Sequence, residues 1–288
     1  MRFIDLRIVE SDPDVLPLIE KAEETRQAVL AEQDAEKRKH LIRLRRSVWV
    51  DFRAHFERIY GAKCWYTESK NPGTDDDIDH YRPKRALAGV DDHDGYWWEA
   101  FNWRNFRLSC HRANRLGTNS ETGEVHGKGS WFPLLDEADR CREPEDDLDR
   151  ERPTLLDPTD PGDAAVLTFD QDGSVALVPG FEGNEDAERR LQDSRKYLHL
   201  DWPMFREERQ RLFARIHVKV KEGDKAKSKA VRGDHTARAW LKGVAAELID
   251  LAGEPKPYSR AAQAYIMRFR DRAWVRTMVV PHIPNPIA

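Results

Sequence analysis

The chain is poor in cysteine, in long apolar runs and in net positive charge, and each shortage excludes a class of protein. Its 288 residues include three cysteines, Cys64, Cys110 and Cys141. An odd number without a dense pattern is no disulfide scaffold of the secreted kind. No apolar stretch approaches the roughly 20 residues needed to span a bilayer. The opening MRFIDLRIVESDPD also lacks the continuous apolar core of a signal peptide. A cytoplasmic, soluble protein with no membrane partner is expected. Lys and Arg number 48 against 52 Asp and Glu, a formal net charge of −4. The chain is therefore no polycation, and any contact with nucleic acid must come from a local basic surface.

What is present is 39% hydrophobic and 35% charged residues, enough for a core under a heavily charged surface. The length suits one large domain or two modest ones. Residues 1–60 read as a helical region: Val15, Leu16, Ile19 and Ala22 recur at helical spacing after Pro13, and Leu41, Leu44, Val48, Phe52 and Phe56 follow, with Gly61 placed to stop the helix. The basic run EKRKHLIRLRR within it reads either as a solvated face or as a phosphate-facing one. Residues 61–135 change to short strand-like pieces rich in aromatics. Residues 136–184 hold an acidic stretch expected to be a surface linker, then LTFDQDGSVALV, which alternates around Asp172-Gly173 as a hairpin does. Residues 185–288 are helical again, over 185–217, 233–252 and about 259–275. The lysine-rich residues 219–232 are expected to break the helices.

Four stretches in the middle carry chemistry: CWYTESK (64–70), DIDHYRPK (77–84), FNWRNFRLSCHRAN (101–114) and GKGSWFPLLDE (127–137). Singly each is weak, since an Asp-His pair or a lone Asn is ordinarily a surface pair or a cap. Hydrolysis of a phosphodiester needs a deprotonated water and neutralised phosphate oxygens. A histidine near its ordinary pKa of about 6.5 can take that proton, which suits His80. Asp79 and Asn114 offer hard oxygen ligands that favour one Mg²⁺ or Mn²⁺ per site. Neighbours on a strand face opposite ways, so Asp79 and His80 can share a site only where the strand ends, and Arg82-Pro83 supplies that end. Arg82, Lys84 and Arg85 then face the backbone phosphates, as do Arg112 and, less directly, Lys128. Asp75 and Asp76 read as solvated loop residues, and Asp77 stays undecided.

In order and flanking text these stretches resemble the HNH endonucleases, the ββα-metal or His-Me finger nucleases. They look most like the branch that supplies nuclease subunits of Septu-type and retron-associated anti-phage systems. The resemblance spans roughly residues 60–200. It implies an α+β fold, mostly helical, with a small ββα-metal unit and a separate β-hairpin. It makes His80 the general base, Asp79 and Asn114 the metal ligands, and Asn105 the side chain that holds the loop carrying His80. It further implies DNA as substrate and an ATPase-type protein partner that restrains the nuclease. An RNA- or tRNA-cleaving nuclease, or a non-catalytic nucleic-acid-binding subunit, remains compatible with the same residues. Two departures stand out. The zinc-binding cysteine pairs of many HNH proteins are degenerate here, each keeping one cysteine (Cys64, Cys110), so a structural zinc is not expected. Packing by Trp65, Tyr66, Trp97, Trp98, Trp103 and Trp131 is expected to brace the unit instead. An insertion at 115–127 also separates Asn114 from Lys128-Gly129, either as a surface excursion or as a substrate-contacting loop.

Overall fold

The computed structural model describes residues 1–70, 76–118, 123 and 125–284. The chain is α+β and about half helical, with three separate two-stranded antiparallel sheets among the described residues. The N-terminal region forms α1 (Arg7–Glu10), α2 (Leu16–Ala31), α3 (Ala35–Leu44), α4 (Ser47–Val50) and α5 (Phe52–Tyr60). Asp34 caps α3 by accepting from the Lys37 amide at 2.9 Å, as a short carboxylate does at a helix start. Gly61 ends α5 at φ +87°, a conformation glycine adopts without Cβ strain. Val48, Trp49, Phe52 and Phe56 pack with Trp65, Phe101, Phe106 and Leu108 into one apolar cluster.

The middle segment supplies β1 (Asp77–His80) and β2 (Phe106–Ser109), paired antiparallel with His80 opposite Phe106 and Asp79 opposite Arg107. A short helix α6 (His111–Asn114) follows at once, so strand, strand and helix occur in the order expected. All four residues of β2 are buried. Phe106 and Leu108 face the N-terminal cluster, while Arg107 lies on the other face in a two-pronged ion pair with Asp157, at 2.7 and 2.6 Å. The base of the 115–127 insertion is itself a ladder, β3 (Gly117–Thr118) against β4 (Val125–His126). Past α7 (Pro161–Ala165), β5 (Leu167–Phe169) and β6 (Val175–Leu177) form the hairpin read from the sequence. A Cβ at Gly173 in its turn would lie 2.1 Å from the Arg206 carbonyl oxygen, so only glycine fits.

The C-terminal region is α8 (Glu185–Tyr197), α9 (Pro203–Val231), α10 (His235–Leu251), α11 (Ser259–Met267) and α12 (Ala273–Met278). Three expectations are corrected here. The helix expected over 185–217 is two helices, interrupted where Pro203 starts α9. The lysine-rich residues expected to be a break continue α9 instead. Gly223 is no helix breaker but a packing notch, because a Cβ there would meet the Trp274 ring at 2.2 Å. The acidic stretch 136–152 is not a loose linker: Arg140, Cys141 and Glu151 within it are buried. The larger apolar cluster takes in Met1 and then residues from Cys64 to Ile283, drawing on all three segments after residue 61. No helix among the described residues is long and apolar enough to cross a membrane.

Candidate active site

Beside β1 opens a cavity of about 720 Å³ whose wall includes Asp77, Asp79, His80, Lys84, Arg85 and Asn114. Strand geometry decides what each presents. Ile78 and His80 lie on the face toward the N-terminal helices, and Asp77 and Asp79 on the other. The cavity reaches both because β1 ends at His80.

His80 is 3% exposed and sits edge-on to Trp49 and Phe106, with ring centres 5.1 Å apart in each case. Its Nε2 is 2.8 Å from the Ala100 carbonyl oxygen. A carbonyl only accepts, so Nε2 carries the proton and Nδ1 keeps the lone pair. Lys84 Nζ donates to that Nδ1 at 2.9 Å. Burial, then the Lys84 charge, hold the imidazole well below its usual pKa, so it is neutral through physiological pH. Burial likewise lowers Lys84 to about 7, against a smaller opposing pull from Asp79.

Asn105 spans the turn after β1. Its Oδ1 accepts from the Arg82 amide at 2.8 Å, and its Nδ2 donates to the carbonyls of Arg82 (3.0 Å) and Glu99 (3.2 Å). The Tyr81 amide adds a bond to the Asn105 carbonyl at 2.9 Å. One side chain thereby fixes the chain that positions His80.

The acidic face divides into two parts. Asp79 is buried and fully engaged, accepting from Tyr66 Oη at 2.8 Å and from Lys128 Nζ at 2.9 Å. Lys128 is completely buried, and burial lowers its pKa while Asp79 raises it. Gly127 and Gly129 bracket this lysine; a Cβ on Gly127 would lie 2.2 Å from the Arg115 carbonyl oxygen, and the Gly129 amide returns to the Asn114 carbonyl at 3.0 Å. The carboxylate beside Asn114 is Asp77 rather than Asp79. Asp77 Oδ2 receives Asn114 Nδ2 at 3.3 Å and Arg115 at 3.4 Å, and lies 3.5 Å from His111 Nε2. Among the described residues, no three His, Cys, Asp or Glu side chains gather as a metal site. One carboxylate with a neighbouring carboxamide and imidazole suits a hard divalent ion, which takes few protein ligands and completes its shell with water and phosphate oxygens.

Of the cations expected at a phosphate backbone, Lys84 and Arg85 line the cavity. Three others have protein partners instead. Arg82 donates to Glu151 at 2.9 Å and to the Leu148 carbonyl at 3.1 Å, drawn there because Glu151 is buried and needs a counter-charge. Arg112 lies 4.6 Å over the Trp202 ring, and Lys128 is spent on Asp79. Asp76, expected in solvent, is 6% exposed; Asp75 lies outside the described residues. Sequence reading missed Trp49 and Arg46 in the wall, although the basic run that ends at Arg46 was the available signal.

Cys64 and Cys110 are fully buried and their thiols meet; burial pushes Cys64 up, while bonds from Cys64 and the Ala113 amide hold Cys110 down, at about 7. Trp65 packs on Phe56 at 4.8 Å, Trp98 on Tyr96 at 5.4 Å and Trp131 on Tyr197 at 5.2 Å, so aromatic contacts surround the unit. The CWYTES stretch ties it to the C-terminal helices, since buried Glu68 takes Lys63 at 3.0 Å, Ser259 at 2.8 Å and the Arg260 amide at 3.0 Å.

No protein-family model matches the chain, and no solved structure matches it. Among curated proteins, the Septu protein PtuB of Bacillus mycoides (strain KBAB4) is 29% identical over 134 residues, 45% of this chain and 42% of that protein. The match spans less than half of either chain. This protein is thus a partial homologue of a Septu protein.

Proposed function

We propose that the chain is an HNH-type endonuclease that hydrolyses DNA phosphodiester bonds with Mg²⁺ or Mn²⁺, as an effector of anti-phage defence. The observation that supports this best is the cavity whose wall includes both a neutral imidazole, with its acceptor lone pair on Nδ1, and the Asp77–Asn114 pair at the end of one strand. His80 accepts the proton of the attacking water at Nδ1. Lys84 holds that lone pair in the free protein, and a phosphate oxygen offers its ammonium a stronger, charge-assisted partner. Binding of the substrate therefore releases Nδ1, and the nearby anion raises the basicity of the imidazole. Asp77 and Asn114, with Asp79 behind them held by Lys128, would hold the divalent ion. When bound, that ion neutralises charge on the phosphate oxygens. Asn105 keeps the turn in place, and Arg85 meets the backbone.

The Septu relationship supports the defence role; an ATPase-type protein partner is part of the proposal. Co-expression with adjacent reading frames and affinity capture tests the partner; a lone, fully active nuclease that captures no neighbour argues against it. The activity itself is tested with purified protein on supercoiled plasmid, linear DNA and RNA, with Mg²⁺, Mn²⁺ or EDTA. Metal-stimulated nicking of DNA that EDTA abolishes is expected. Cleavage of RNA alone would assign the same residues to a ribonuclease, and no cleavage of either would leave a binding subunit.

A further inference from the structure

A second cavity, of about 520 Å³, adjoins the first and shares Arg46, Trp49, Lys84, Arg85 and Ala86 with it. Its far wall is α3, with Arg38, Lys39 and Arg43, and the indole of Trp97. Six cations and two carboxylates, Glu36 and Asp94, line it. Glu36 is taken by Lys39 at 3.1 Å. Among the described residues Arg43, Arg46 and Arg85 have no ion-pair partner, and all three are exposed. Clustered like charges repel, so a groove that keeps them unpaired is suited to an anion.

The groove is more than a charged surface. Ile42, Trp49, Ala86 and Trp97 give it an apolar floor, and the Arg38 guanidinium lies 3.8 Å from the centre of the Trp97 ring. A planar cation on an indole, beside a row of arginines, is the equipment that single strands use: phosphates follow the charges and bases stack on the rings. The volume is that of a small-molecule pocket, roughly 300–1,000 Å³, which suits a nucleotide. In a duplex the bases are already paired and stacked, so only phosphates would reach the arginines and the indoles would face nothing.

We infer that this groove holds the unpaired DNA nucleotides next to the scissile phosphate, so that the preferred substrate is single-stranded or locally unwound DNA. The inference rests on the nuclease reading for the word scissile, but the groove can be tested without cleavage. In EDTA, fluorescence anisotropy of the full-length protein is measured with a labelled 12-nucleotide DNA strand, the same strand as a blunt duplex, and the matching RNA. The DNA strand is expected to bind about tenfold more tightly than the duplex, with quenching of tryptophan emission. Arg43→Gln with Arg46→Gln, both on exposed positions that leave the fold intact, is expected to weaken the single strand about tenfold. The same double variant should flatten the logarithmic salt dependence of binding by about 0.7 for each phosphate no longer neutralised. Trp97→Leu is expected to remove part of the quenching. Equal or tighter duplex binding, or single-strand binding unchanged by the double variant, overturns the inference. Tighter binding of RNA than DNA overturns its choice of sugar. Loss of cleavage with intact strand binding would count against the nuclease reading alone.

Discussion

Lys84 shows how one side chain carries function at a cost to stability. Its ammonium is held against the His80 ring and 4.7 Å from the Trp49 ring centre, where burial lowers its pKa from 10.5 to about 7. Between those two values the unfolded chain holds a proton that the folded chain has lost. Stability therefore rises with pH from about 7 to about 10.5, and the full penalty applies at pH 7 and below. Lys84→Met keeps the stem and removes the charge. It should raise stability at pH 7 by about 1–2 kcal/mol, a few degrees in Tm, while cleavage falls. Thermal melts at pH 7 and pH 9.5 check it: the variant should lose the gain on going alkaline. The Lys84 charge also depresses His80, so the His80 pKa followed by NMR should move up in the variant. A lower Tm at pH 7 would mean that the ammonium is stabilising where it stands. Other residue-level facts were not legible in the sequence. Asp77 and Asp79 are chemically alike and share a strand face, and what separates them is distant in the chain: Tyr66 and Lys128 take the buried Asp79, whereas Asn114 and Arg115 approach the more exposed Asp77. Arg82 sits in the motif, yet its direction is set by Glu151, 69 residues later.

At the scale of elements, much was legible because local rules govern it. The strand–strand–helix order implied for the middle segment appears as β1, β2 and α6, and the Asp172-Gly173 turn joins β5 to β6. Turn glycine, alternation and proline placement act over a few residues, so the sequence displays them. The continuation of α9 through Gly223 was not displayed, because its reason is the Trp274 ring, 51 positions away in the chain. The turn after β1 is the element on which the proposed chemistry depends, and Asn105 supplies three of its hydrogen bonds. Asn105→Ala leaves the Arg82 amide and two carbonyls short of partners. It should cost about 1–3 kcal/mol and speed hydrogen exchange at the Tyr81 and Arg82 amides. Unchanged exchange there would show that the turn holds itself.

At the scale of the whole molecule, two apolar clusters meet across the β1–β2 pair, one built on the N-terminal helices and the other running on to Ile283. The candidate site lies at that seam. His80 is packed by the first cluster, while Asp79 is tied through Tyr66 and Lys128 to the second. Composition could indicate a charged, packed protein, but not that segments before and after the motif close on it, because long-range packing leaves no local mark. A net charge of −4 beside a groove lined by Arg38, Arg43, Arg46 and Arg85 fits local rather than global attraction for nucleic acid. The proposed chemistry turns on His80 as the base, and one comparison tests it directly: the rate of Mg²⁺- or Mn²⁺-dependent DNA cleavage by wild type and by His80→Ala, each shown to be folded by circular dichroism. The variant should be slower by the ~10²–10⁴-fold that a general base contributes. A folded His80→Ala protein that cuts DNA as fast as wild type would contradict it.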